Sequence, residues 1–190
     1  MKRSLAFLTL ALGAQAFGQN LVVNGDFSTF VPSDGTGGGW TAISNDVNAG
    51  WSSTGGNPGG TYILNDDAKP LANPTLQQTL TLVAGQTYRV SGQFAAGHIG
   101  YGGYPTKEFG VEIDGNLWEY PVPEGVSLWN SFSETFTATS SSAVLQLTGE
   151  RHDDGSVRVD NISVQAVPEP ASMAALGLGA LGLLRRRSKA

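Results

Sequence analysis

Between residues 20 and 167 period-two alternation of apolar side chains is the rule, and no stretch holds the 3.6-residue rhythm of an amphipathic helix. Successive side chains of an extended strand point to opposite faces, so this alternation describes strands with one buried and one wet face. Leu76, Leu80 and Leu82 share one parity, with Gln77, Thr79 and Thr81 between them. Tyr88, Val90 and Phe94 follow the turn Ala84-Gly85-Gln86, and Phe109, Val111 and Ile113 run into the turn Asp114-Gly115-Asn116. Leu128, Phe132 and Phe136 form a further face, as do Ala143, Leu145 and Leu147. Short strands separated by Gly, Asn and Asp turns predict an all-β, antiparallel β-sandwich. The glycine-rich stretches 35–39 and 50–60 read as long loops at one end of it.

The last strand contains an irregularity. Val157 and Val159 are odd, whereas Ile162 and Val164 are even. An apolar face cannot change parity in a regular strand, so a β-bulge is expected at Asp160-Asn161.

The two ends carry a different pattern. Lys2 and Arg3 precede an apolar run from Leu5 to Ala14, broken only by Thr9, and Ala14-Gln15-Ala16 offers a small-x-small cleavage site. Residues 1–16 are therefore read as a secretory signal peptide, helical in its apolar part. Residues 17–167 form one domain-sized core, and residues 168–190 a separate tail. In the tail, Pro168-Glu169-Pro170 is followed by the uncharged run Ala171–Leu184 and then by Arg185, Arg186 and Arg187. As a helix, 171–184 spans about 21 Å, short of the roughly 30 Å of a bilayer core. Snorkelling of the arginines and local thinning suit it to a transient membrane hold, with the arginines on the cytoplasmic side.

The run Val167-Pro168-Glu169-Pro170-Ala171-Ser172, the Gly/Leu/Ala helix and the arginine cluster resemble the PEP-CTERM sorting signal of Gram-negative bacteria. The resemblance covers about the last 23 residues. It implies recognition by an exosortase-type membrane protease, cleavage near Pro-Glu-Pro, and a cell-envelope or extracellular destination in an organism rich in extracellular polysaccharide.

Composition narrows the class of the core. Residues 17–167 hold five bases (Lys69, Arg89, Lys107, Arg151, Arg158) against fifteen acids, a formal charge of −10. Such a core argues against nucleic acid and anionic membrane surfaces and is compatible with neutral sugars and divalent cations. It contains no cysteine, so disulfides and thiol nucleophiles are excluded.

Three further segments carry a second resemblance. Asn20-Leu21-Val22-Val23-Asn24-Gly25-Asp26-Phe27 with the later Gly39-Trp40 is similar to the opening of galactose-binding-like jelly rolls, which include several carbohydrate-binding modules. Leu76–Leu80 with Ala84–Tyr88 resembles their middle strands, and Val159-Asp160-Asn161-Ile162-Ser163-Val164 their last. The resemblance implies a jelly-roll sandwich whose first and last strands meet, bringing Asp26 and Asp160 together as hard oxygen donors for a structural Ca²⁺. Ser28 stands where the familiar pattern has an acid.

Sugar binding needs aromatic faces beside hydrogen-bonding side chains. Trp51, Tyr101, Tyr104, Trp118 and Tyr120 are the candidates, all read as loop residues, while Trp40 and Trp129 read as core or edge packing. For catalysis, Glu108, Glu112, Asp114 and Glu119 are near neighbours of the type that hydrolyses glycosides. Nothing opposes two of them across a cleft, and His98 and His152 lack metal-ligand spacing. The expectation is an exported, exosortase-sorted, non-enzymatic protein of the envelope or extracellular matrix that binds polysaccharide. The alternatives are a structural matrix protein without sugar binding and a glycoside-active enzyme.

Overall fold

A computed structural model of the chain describes residues 18–43, 50–65, 73–99, 107–122, 128–149 and 155–168. Eleven strands form: β1 (Gly35–Gly37), β2 (Trp40–Ile43), β3 (Gly50–Gly56), β4 (Gly59–Asn65), β5 (Thr75–Thr81), β6 (Thr87–Ile99), β7 (Lys107–Ile113), β8 (Asn116–Val122), β9 (Asn130–Thr137), β10 (Ser142–Gly149) and β11 (Gly155–Ala166). They build two antiparallel sheets, of order β1-β2-β5-β10-β7-β8 and β3-β4-β11-β6-β9. Among the described residues there is no helix, and hence none long and apolar enough to cross a membrane. The expected signal helix and the span 171–184 lie outside the described residues.

The parity of the sequence becomes the packing of the sandwich. Leu76 and Leu80 of β5, Val90 and Phe94 of β6, Phe109, Val111 and Ile113 of β7, and Leu145 and Leu147 of β10 all turn inward into one core. The sheets meet through aromatic contacts, including Phe94 against Phe109 with ring centroids 5.1 Å apart and Phe109 against Phe132 at 5.7 Å. Each such side chain removes roughly 1.5–3 kcal/mol worth of apolar surface from water.

Two expectations change. The stretches 35–39 and 50–60 are not long loops: the first contributes β1 and the second contributes β3 and the start of β4, joined by the Asn57-Pro58 turn. Glycine has weak intrinsic strand preference, so these strands carry no local signal. Tertiary contact selects them, because β3 pairs with β4, whose Tyr62 and Leu64 are buried. Gly60 shows why glycine is required. A Cβ there would lie 2.0 Å from the Phe27 carbonyl oxygen. The opening segment 20–27 also differs from a strand. It is a series of bends and turns that runs beside β11, with Leu21 N–H donating to Val164 O (2.9 Å) and Ile162 N–H to Gly25 O (2.8 Å).

The bulge in β11 forms where parity placed it. The β11–β6 register shifts between Asp160↔Gln93 and Ser163↔Ser91, and Asn161 takes a left-handed φ of 54°. Val157, Val159, Ile162 and Val164 are consequently all buried.

Candidate functional site

The bulge organises the surroundings of β11. Asp160 is fully buried, and its carboxylate accepts N–H bonds from Asn57 (2.5 Å) and from Asn161 (2.6 Å). Burial pushes the Asp160 pKa above its ordinary value, the two N–H donors pull it back, and the charge of Asp26 raises it further. Asp26 itself is exposed at the end of the opening segment, accepting from Ser28 N–H (3.3 Å) and Ser28 Oγ (3.0 Å). The two acids are thus close enough to repel. The Gly60 carbonyl and the Asp160 carboxylate converge at Gly56, where any Cβ would collide with both. The Asp160 carboxylate beside a backbone carbonyl, with the Asp26 charge near it, is a set of hard oxygen donors of the kind Ca²⁺ takes. Among the described residues no third His, Cys, Asp or Glu joins them, so the remaining donors would be backbone oxygens and water.

On the outer face of the five-stranded sheet the same bulge turns Asn161 outward. Its Nδ2 donates to Asn57 O (2.6 Å) and Gln93 Oε1 (2.9 Å), tying the β3–β4 turn to β6. Asn57 Nδ2 also donates to Gln93 Oε1 (3.3 Å). Two residues before the bulge, Arg158 donates from Nε to Ala96 O and from Nη1 to Gly55 O, each at 3.1 Å. These bonds hold its guanidinium over the partly exposed Trp129 ring, 5.4 Å from the centroid. An aromatic surface, a fixed cation and three side-chain amides therefore share one sheet face.

The residues expected to carry sugar binding lie elsewhere. Trp51, Trp118 and Tyr120 are strand residues, in β3 and β8, rather than loop residues, and all three pack partly buried against the core. The Trp51 indole N–H donates to Phe27 O at 2.7 Å, and its ring meets the exposed Phe30 edge-on at 5.7 Å. Tyr120 donates its hydroxyl to Glu134 Oε1 (3.0 Å) and contacts the Phe94, Phe109 and Phe132 rings. Burial, then the bond to Glu134 and that carboxylate's charge, raise the Tyr120 pKa well above its usual value. This pair closes the edge of the sandwich where β8 and β9 face each other. Tyr101, Tyr104 and His152 lie outside the described residues, as do Glu169, Pro170 and Arg185–Arg187 of the tail.

Glu108, Glu112 and Glu119 share the outer face of the six-stranded sheet, because Phe109, Val111 and the inward side of β8 take the opposite parity. Asp114 sits in the β7–β8 turn, accepting from Thr139 N–H (2.6 Å) and Thr139 Oγ1 (2.9 Å). Trp40 is core, as expected, with no exposed surface. Trp129 is the residue that sequence reading assigned to packing and the structure leaves partly open. Its partner Arg158 is 29 positions away, and no spacing rule links them.

Residues 166–188 match the PEP-CTERM protein-sorting motif, which marks an exported protein sorted to the cell surface. No curated protein matches the chain. Among solved structures, the carbohydrate-binding module TmCBM61, determined in complex with β-1,4-galactotriose, aligns at 14% identity and a TM-score of 0.57, over 78% of this chain and 99% of that one. The enzymatically active domain of tailspike protein 4 from bacteriophage CBA120 aligns at 14% identity and 0.51, over 78% of this chain and 21% of that one. The K1 cleaved adhesin domain of Lys-gingipain from Porphyromonas gingivalis W83 aligns at 13% identity and 0.50, over 72% of this chain and 95% of that one. At such identities the likeness is one of fold. The chain is a β-sandwich of the architecture found in TmCBM61, followed by a PEP-CTERM sorting motif.

Proposed function

We propose that this chain is a non-catalytic polysaccharide-binding protein of the cell surface or extracellular matrix, built on a jelly-roll sandwich. Its binding face is the outer face of the five-stranded sheet, and exosortase-type processing acts on its tail. The observation that carries the reading is the Trp129 ring held beside the Arg158 guanidinium, on the face that also presents Gln93, Asn161 and Asn57. A sugar has apolar C–H faces and a rim of hydroxyls, and this surface supplies a match for each. The resemblance in fold to a carbohydrate-binding module supports the same reading.

The test is binding of the purified exported protein to the producing organism's own exopolysaccharide, followed by tryptophan fluorescence. Trp129→Ala should weaken binding by about tenfold or more and remove the ligand-induced change in emission. Trp51→Ala and Trp118→Ala should lower the melting temperature and leave the affinity of the folded fraction unchanged. Loss of binding in either of these with Trp129→Ala unaffected would move the site off this face. No binding by the wild type would leave a structural matrix protein.

Calcium is the second part of the proposal. A cation between Asp26 and Asp160 would relieve their mutual repulsion, which contributes to the raised Asp160 pKa. A ligand at a hundred times its Kd stabilises by about 2.7 kcal/mol, so adding a chelator should lower the melting temperature by several degrees. An unchanged melting temperature would remove calcium from the account.

A further inference from the structure

The two ends of the described core leave it side by side. Gly18 at one end and Pro168 at the other line the same pocket of about 320 Å³, together with Arg89, Gln165, Ala166 and Val167. The segment that follows the expected signal cleavage site is laced to the last strand beside this pocket. Asn20 accepts from Val164 N–H at 3.0 Å and donates to Ile162 O at 3.1 Å, and Leu21 N–H donates to Val164 O at 2.9 Å.

Sheet bonding continues one residue past β11. Val167 N–H donates to Thr87 O (2.9 Å), and the Gln86 side chain donates from Nε2 to Val167 O (2.9 Å) and to Thr87 O (3.0 Å). Gln86 is itself fixed in the turn before β6, its N–H donating to Val83 O and its carbonyl accepting from Ala138 N–H, each at 3.0 Å. Both backbone polar groups of Val167 are thus engaged, while the next residue, Pro168, is exposed. Pro168 and Pro170 carry no backbone N–H, so Glu169 holds the first backbone donor that the chain can offer to a partner beyond this latch.

We infer that this latch sets the register in which the tail is processed. Gln86 is a positioning residue that keeps β11 and Val167 out of the cleft of the processing enzyme, so that the chain is cut only on the far side of Pro168. The inference rests on the processing reading above and adds to it the limit of the cut and the residue that sets it. A protein cleft that takes an extended peptide does so through backbone N–H and C=O groups as well as side chains. In Val167 those groups are bonded to Thr87 and Gln86, and the strand before it pairs with β6 as far as Ala166↔Tyr88. Residues 168–170 lie between the latch and the apolar run from Ala171, about 10 Å of extended chain. A membrane-embedded protease therefore meets the motif as a short strap whose upstream end the sandwich holds. The step is scission of one peptide bond: the C–N bond breaks, the acyl carbon takes the oxygen of water, and the amine takes a proton and leaves with the tail.

The test is the C-terminus of the mature protein, read by mass spectrometry after the full chain is expressed in the producing organism. The wild type should end at Pro168 or later. Gln86→Ala removes the donor on Val167 O and leaves the backbone bonds of the turn in place. It should raise the fraction of molecules with Val167 free by about tenfold, and amide exchange at Val167 should quicken by that factor. Chains ending at Val167 or Ala166 should rise about tenfold over their level in the wild type. Gln86→Glu, which sets an acceptor against the same carbonyl, should do the same. A merely structural role would lower the melting temperature without moving the C-terminus. Wild-type ends in both variants, or a wild type that already ends upstream of Pro168, would overturn the inference and leave the processing reading standing. A wild-type mature chain that keeps Arg185–Arg187 would overturn both.

Discussion

Trp40→Ala should destabilise the fold by about 4 kcal/mol, the largest single-residue loss expected in this chain. Trp40 is fully buried at the start of β2, stacked on Phe27 with centroids 5.8 Å apart, and Phe27 in turn contacts Tyr62 at 6.0 Å. The indole N–H donates to Asn24 O at 3.1 Å, fixing the turn of the opening segment. Truncation would therefore open a cavity between both sheets and free the segment that crosses to β11. In a domain of this size the loss corresponds to a fall in melting temperature of about 12 °C, measurable by thermal or urea unfolding. A fall below about 3 °C would mean that the Trp40–Phe27–Tyr62 stack is not the centre of the core.

Asp160→Ala should follow, at about 3 kcal/mol. The buried carboxylate accepts two backbone N–H groups, from Asn57 across the sheet and from Asn161 at the bulge. Alanine leaves both donors without their acceptor, while water reaching the site and relief of the desolvated charge offset part of the cost. The effect should be local as well as global: amide exchange at Asn57 and Asn161 should accelerate more than in the middle of β6. In the presence of a chelator, so that no cation occupies the carboxylate, the pH profile gives an independent reading. Folding raises the Asp160 pKa, so the folded chain holds a proton more readily than the unfolded one. The contribution of this group to stability therefore grows as pH falls from neutrality through its folded pKa and is complete below the unfolded value. The alanine variant should lack that component. Unchanged stability together with an unchanged pH profile would show that the turn is held by Asn161 and Gln93 without the carboxylate.

Much of the sandwich was legible before any coordinates. Strands β5, β6, β7, β9, β10 and β11 follow the parity of their apolar residues, because burial of one face requires period two, although Leu128, expected on the β9 face with Phe132 and Phe136, precedes that strand and is exposed. The change of parity in β11 located the bulge to the residue, since no regular strand can bury both Val159 and Ile162. The hairpin of β3 and β4 was hidden because glycine gives no local strand signal. Trp118 and Tyr120 looked like a loop platform, yet their alternation with Leu117, Glu119 and Pro121 places them on the inner side of β8.

The sequence alone determined the strand periodicity, the bulge and the tripartite tail, because each is written in neighbours a few positions apart. The tertiary structure decided which aromatic ring remains open and what surrounds it. Trp129 meets Arg158 across the outer face of the sheet, and Asn57 reaches Asp160 over 103 positions of chain. The direction of a strand residue depends on register with partners that no local spacing reveals.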